Sequence, residues 1–279
     1  MRPLRFIPVL VLLLATAIPL FARPDADVVV PVVGYLDLPN DLVYRTELVL
    51  TNHRDVPQYV LLSLVMDGYD SEFRSFHLEP GETKLLTDAG FGTSSQRQNF
   101  VGALHVRATL VPPMPGEDEP PHYIPDPEGQ IEADAFIVAE RGTNGSRGAS
   151  RQEVHGIPST EYTIEEAVFL GSRHSYGTGY YTNVGIANLH PTQTETFYVQ
   201  YQYQEPVAVV VPPLSLRQIR IPGQGAGGRW VRVYPEWSIG NGPPARTTPW
   251  VAYASSVNTV TGDAFTAVRI PRPQKFAIQ

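Results

Sequence analysis

YRTELVLTN at residues 44–52 and YYTNVGIAN at residues 180–188 carry the same three residues at the same spacing. Tyr44, Thr46 and Asn52 in the first phrase recur 136 residues later as Tyr180, Thr182 and Asn188. Each phrase is a short run rich in β-branched, aliphatic and aromatic residues that ends in Asn, as a strand running into a turn does. A phrase repeated at nearly the same depth in two successive segments points to one β-rich unit present twice, and so to a duplicated module rather than a single catalytic domain.

Working outward, short apolar runs bounded by turn residues fill the chain, and no amphipathic helix of ten residues or more is evident after the N-terminal segment. In the first unit the runs are Val28 to Gly34, Val43 to Asn52, Gln58 to Met66, Phe73 to Leu78, Glu82 to Asp88, Val101 to Leu110 and Ile131 to Glu140. Leu104, Val106, Ala108 and Leu110 alternate with His105, Arg107 and Thr109, which predicts a strand with one buried face. Glu79-Pro80-Gly81 is a turn, because Pro presets φ and Gly accepts the positive φ that follows. Seven runs in about 115 residues fit a two-sheet sandwich.

The second unit repeats the plan with runs at Glu165 to Leu170, Tyr180 to Asn188, Glu195 to Gln204, Val207 to Val211, Leu216 to Pro222, Arg229 to Tyr234, Trp250 to Asn258 and Ala264 to Ile270. The predicted fold class is all-β: two tandem Ig-like antiparallel sandwiches at residues 27–140 and 157–272. Residues 141–156, rich in Gly, Ser, Asn and Arg, read as a flexible linker between them.

VVVPVVG, YRTELVLTN, LEPGETKLL and GALHVRA in the first unit, with YYTNVGIAN, PPLSLRQI and WVAYASSVNTVTGD in the second, resemble the tandem β-sandwich repeats of secreted, largely uncharacterised proteins of Acidobacteria-type soil bacteria. The resemblance covers nearly the whole chain after the N-terminal segment. It implies Ig-like sandwiches and supplies no activity and no site residues.

Residues 1–22 have Arg2 and Arg5 as a basic start, an apolar stretch from Phe6 to Phe21 and Ala22 at a cleavage position, the pattern of a secretory signal peptide. Pro8 and Pro19 interrupt a run already short for a spanning helix, so the expectation is an exported protein, periplasmic or extracellular, with no membrane anchor after cleavage. Losing two arginines takes the formal charge from −7 to −9. With only two lysines, Lys84 and Lys275, and no basic cluster, nothing points to nucleic acid. The absence of cysteine excludes disulfides, thiolate zinc sites and a cysteine nucleophile.

Motifs with chemistry in them are few. Gly223, Gly225 and Gly228 match a GxGxxG spacing, but a strand follows where a phosphate-binding loop needs a helix. The seven histidines are dispersed, with no HExxH and no pair at ligand spacing on one strand, and GxSxG is absent. The Pro-rich stretch 112–129 carries Glu117, Asp118, Glu119, Asp126 and Glu128, oxygen donors for a weak calcium site if the loop is more than a solvated excursion. Aromatics concentrate in the second unit. Trp237 and Trp250 flank a Gly/Pro-rich stretch, and with Tyr234 they are the candidates for stacking on sugar rings. Asn52 and Asn188 end equivalent strands before polar turns, where they bond the turn backbone or mark a site common to both copies.

The expected function is an exported, non-catalytic interaction module that recognises a partner through loops or sheet edges. Two alternatives stand beside it: a carbohydrate-binding module using the aromatics of the second unit, and a periplasmic pilus-type chaperone holding an extended strand between its two units.

Overall fold

A computed structural model describes residues 23–38, 42–66, 72–87, 99–113, 123–141, 148–163, 166–172, 179–202, 204–221, 230–236, 249–258, 264–266 and 268–270. The expected signal segment, residues 1–22, lies outside them. Among the described residues the chain is built of antiparallel strands, with a 3-10 turn at Ser159–Glu161 and no helix long and apolar enough to cross a membrane.

The first half contributes β1 (Asp27–Leu38), β2 (Leu42–Asn52), β3 (Gln58–Met66), β4 (Glu72–Leu78), β5 (Thr83–Leu86), β6 (Phe100–Thr109), β7 (Ile131–Arg141) and β8 (Gly148–His155). They pair in the orders β4-β3-β6-β1 and β5-β2-β7-β8. After β9 (Ile157–Pro158) come β10 (Ala167–Leu170), β11 (Tyr180–Asn188), β12 (Glu195–Tyr201), β13 (Val207–Val211), β14 (Ser215–Arg220), β15 (Trp230–Pro235), β16 (Trp250–Asn258), β17 (Ala264–Thr266) and β18 (Val268–Ile270). These pair as β13-β12-β15-β10, extended by β18, and as β14-β11-β16-β17. Strand for strand, the second pairing order is the first.

VVVPVVG is where β1 changes sheets. Its first part pairs with β6 from Asp27 to Tyr35, and its end pairs with β2 from Tyr35 to Leu38. Pro31 has no N–H to give to the ladder, and the register shifts between Val30 and Val33. At the crossing, the Gly34 N–H donates to Thr46 Oγ1 at 2.8 Å and that hydroxyl lies 3.2 Å from the Gly34 carbonyl. A Cβ on Gly34 would sit 2.6 Å from the Phe100 carbonyl oxygen, so only glycine fits. The threonine of the repeated phrase in the first unit therefore fastens the strand that joins the two sheets.

Inside the first sandwich, Val28, Val30, Val60, Leu62, Leu64, Leu104 and Val106 face Leu48, Leu50, Ala133 and Ala135. In the second, Phe169, Phe197, Val199, Val231 and Val233 face Val184, Ile186, Trp250, Ala252 and Ala254. Along β12 every second side chain, Phe197, Val199 and Tyr201, is buried, as a strand with one core face requires.

Two expectations are corrected. The alternation in β6 predicts one buried face, yet His105 and Thr109 on the other are buried as well, and so are Ser63 and Val29 on the same side of the sheet. The cover is the second unit. Ala187, Leu189, Leu216, Val251 and Tyr253 point away from their own core and join the apolar cluster of the first unit, with β14, β11 and β16 set against β3, β6 and β1. The face was misread because Ser63, His105 and Arg107 are polar. They are reconciled with burial by hydrogen bonds: Arg107 donates to Ser63 and to the Tyr123 hydroxyl, and His105 meets Asp27.

The second correction is the linker. Residues 148–155 form β8, paired along its whole length with β7 from Asp134↔His155 to Arg141↔Gly148, and Ile157 and Pro158 then pair with Val29 and Val28. The composition misled because β8 is an edge strand, where charged outward side chains such as Arg151 and Glu153 are the norm, and among its described side chains only Val154 is apolar and buried. Gly156 is there for space. Its N–H donates to the Ala133 carbonyl at 2.8 Å, and a Cβ would meet that oxygen at 2.4 Å and Val28 Cγ1 at 2.5 Å.

Candidate functional site

The side chains singled out in the sequence fall in different places. Trp250, proposed as a glycan-stacking residue, has no exposed surface: it fills the second core, its ring 5.0 Å from that of Phe197 at 58°. The register explains this correction, since Trp250 pairs with Asn188 and shares the inward face of β16 with Ala252 and Ala254. Trp237 lies outside the described residues. Tyr234 is half-buried on the outward face of β15, stacked on Tyr198 at 5.7 Å and 23°, with the Arg232 guanidinium 4.6 Å from its ring centre. Arg232 in turn donates Nε–H to Glu166 at 2.6 Å.

Of the five acids weighed for calcium, Glu117, Asp118 and Glu119 lie outside the described residues. The other two already have a cation. Arg54 donates from Nη1 to Asp126 at 2.8 Å and from Nη2 to Glu128 at 3.3 Å, and Asp126 Oδ1 also accepts the Glu128 N–H. Asp126 is buried and its carboxylate is spent on this ion pair and turn, the reverse of the open oxygen set that calcium requires. The segment is docked as well, through Leu110 N–H to Ile124 O at 2.9 Å and Asp126 N–H to Ala108 O at 3.1 Å.

Asn52 and Asn188 are both fully buried and do the same work. Asn52 Nδ2 donates to the carbonyls of Val56 (2.9 Å), Leu78 (3.3 Å) and Glu79 (3.0 Å), while Oδ1 accepts from the Arg54 N–H and from Gln58 Nε2. Asn188 Nδ2 donates to Gln193 (2.7 Å) and Val211 (3.1 Å), and Oδ1 accepts from the His190 N–H. The turn bonding was expected; the reach to Leu78 and Val211 was not. Those residues end β4 and β13 in the opposite sheet, so each amide ties the two sheets of its unit together.

Acid, imidazole and hydroxyl groups do meet, at the seam between the units. His105 Nε2 lies 2.5 Å from Asp27 Oδ1, and the Tyr162 hydroxyl donates to the same oxygen. Arg107, opposite Asp27 in the ladder, donates to Ser63 Oγ at 2.6 Å and to the Tyr123 hydroxyl, and Ser159 Oγ donates to Asp25 at 3.0 Å. Burial opposes the Asp27 charge, but the His105 and Tyr162 bonds outweigh it and hold the carboxyl below its ordinary range. Burial keeps His105 below its usual value in spite of Asp27 and pushes the Tyr162 phenol well above its own.

A nucleophilic relay needs a hydroxyl on one imidazole nitrogen and an acid on the other. Here imidazole and phenol both address one carboxylate oxygen, and Ser63 accepts from a guanidinium. The cluster is a buttress that satisfies buried polar groups and anchors the segment entering the second unit to β1. Sequence reading missed it because Asp27, His105 and Tyr162 are far apart in the chain; the signal was the polar side of β6.

The sheet edges differ among themselves. β4 exposes Glu72, Arg74 and Ser75, β8 exposes Arg151 and Glu153, and β14 exposes Arg217 and Arg220. β13, which occupies in the second unit the place of β4 in the first, reads VAVVV, with Val210 at 55% and Val207 at 39% exposure and no charge. Pro206 and Pro212 bound it. A depression beside its start, large enough for about one water, is lined by Val199, Tyr201, Gln204, Glu205, Val207, Ile219 and Ile221.

No protein-family model matches this chain, and no match was found among curated proteins or solved structures.

Proposed function

We propose that the chain is an exported, non-catalytic interaction module made of two copies of one Ig-like sandwich, and that it receives an extended segment of a protein partner along β13. The observation that carries this reading is the uncharged edge VAVVV. An edge strand offers a free row of N–H and C=O groups to any chain that can add to it, and natural proteins blunt such edges with charge or with proline inside the strand. Among the other described edge strands, β4, β5, β8, β14 and β18 carry charged residues and β17 is only three residues long. β13 is only delimited, by Pro206 and Pro212, which limits an added strand to the five residues Val207–Val211. Main-chain bonds to the added strand would supply the affinity.

The glycan alternative has lost Trp250 to the core; Trp237 lies outside the described residues, and the ring of Tyr234 is engaged by Tyr198 and Arg232. The pilus-chaperone alternative calls for an open basic cleft between units, whereas the facing sheets here are packed together by Ala187, Leu216 and Val251.

A lysine at Val210 tests the edge without touching either core, since that side chain is already in solvent. In pull-downs from envelope extracts of the native organism, the wild-type chain is expected to retain a protein that Val210→Lys releases, while Leu85→Lys, at an exposed site in the first unit, retains it. Equal retention by the wild-type chain and Val210→Lys would rule out β13 as the docking edge.

A further inference from the structure

The sheet β5-β2-β7-β8 turns one face outward, and on it three metal-ligating side chains converge. Asp134 on β7 stands opposite His155 on β8 in the ladder, and Glu153 lies two residues before His155, hence on the same face. One donor atom from each of Asp134, Glu153 and His155 lies within 4.8 Å of the others, and His155 Nδ1 is 3.0 Å from Asp134 Oδ1. Two residues before Asp134, Glu132 meets His53 at 2.5 Å, which places a second imidazole and carboxylate next along the row.

We propose that Asp134, Glu153 and His155 form a surface site for a divalent transition-metal ion of the zinc class. Among the described residues no Lys or Arg pairs with Glu132, Asp134 or Glu153; the neighbouring Arg151 is committed to Glu47 at 3.3 Å and lies over the Phe136 ring at 3.7 Å. Three carboxylates thus stand together with only imidazoles for company, and a dication relieves the repulsion. The mixed set of one imidazole and two carboxylates suits Zn²⁺, Co²⁺ or Ni²⁺, whereas Ca²⁺ and Mg²⁺ prefer oxygen alone and more of it. Three protein ligands leave a fourth position to water, and the ligands stand on paired strands, which hold their spacing without loop ordering. Bound metal would also clip β8 to β7.

The test is titration of the tag-free full chain at neutral pH with Zn²⁺, and with Co²⁺ followed by its visible absorption. The expected result is one ion per chain, weakened at least about tenfold by His155→Ala and by Asp134→Asn, since even changes beyond the direct ligands cost that much. Glu153→Gln, at an exposed position, provides a variant whose folding is not in question and is expected to weaken binding too. Excess Ca²⁺ should leave the Zn²⁺ titration unchanged. Binding that survives His155→Ala and Asp134→Asn together, displacement by Ca²⁺, or no binding of Zn²⁺ at millimolar concentration would each overturn the site.

Discussion

Replacing Asn52 by alanine is expected to cost about 3 to 5 kcal/mol of stability, read as a shift of the urea midpoint at unchanged slope. The side chain is completely buried, and its loss strips the donor from the carbonyls of Val56, Leu78 and Glu79 and the acceptor from the Arg54 N–H and Gln58. Each buried polar group left without a partner costs about 1 to 3 kcal/mol, and the sum is less than additive because water and backbone relax around the gap. Asn188→Ala removes the donor from two carbonyls rather than three and is expected to cost somewhat less. Asn52→Asp should be worse than alanine, because a carboxylate would face three carbonyl oxygens in a site closed to water. If the two asparagines served a ligand instead, alanine at either position would leave the midpoint where it was.

Gly185→Ala is expected to cost about 3 kcal/mol, at the upper end of what overpacking usually does. A Cβ at Gly185 would lie 2.0, 2.6 and 2.8 Å from three carbons of the Tyr253 ring. That ring cannot simply swing aside: it is 3% exposed, lies between the two units and is held by its hydroxyl on Gln218 Oε1 at 2.5 Å. Tyr253→Leu in the Gly185→Ala background should recover part of the loss, so that the double variant is more stable than the sum of the single effects. Additive losses would mean that the ring has room to move and that the seam is loosely packed.

These two sites show how far the sequence could be read. Alternation located the strands, and the shared Tyr, Thr and Asn of YRTELVLTN and YYTNVGIAN aligned β2 with β11, which occupy the same place in the two pairing orders. The role of the asparagine was half legible. Its bond to the following turn is local in sequence, but its bond to the end of β4 or β13 spans 26 or 23 residues and depends on how the sheets face. Trp250 was misplaced because WVAYAS alternates Trp, Ala and Ala with Val, Tyr and Ser, so both sides carry apolar groups and periodicity does not say which side is the core. Tyr253, on the other side, is buried too, because a second sandwich covers it.

The seam between the units was hidden for a related reason. Ser63, His105 and Arg107 look like a solvated face until Asp27 and Tyr162 are brought to them. β8 was hidden by its polarity, which is what an edge strand needs. The His155, Asp134 and Glu153 group was invisible because its members come from two strands whose register only the hairpin sets. The bare edge of β13, by contrast, is plain in VAVVV once its position at the end of a sheet is known.

Small-angle X-ray scattering from residues 23–279 reports most directly on whether the two sandwiches are one body. With Ala187, Leu216, Val251 and Tyr253 packed on the sheet of β3, β6 and β1, the radius of gyration should be about 18 to 20 Å, that of a single compact chain of this length. A value above about 24 Å, with a distance distribution showing two separated masses, would mean that the units swing independently and that the apolar seam does not form.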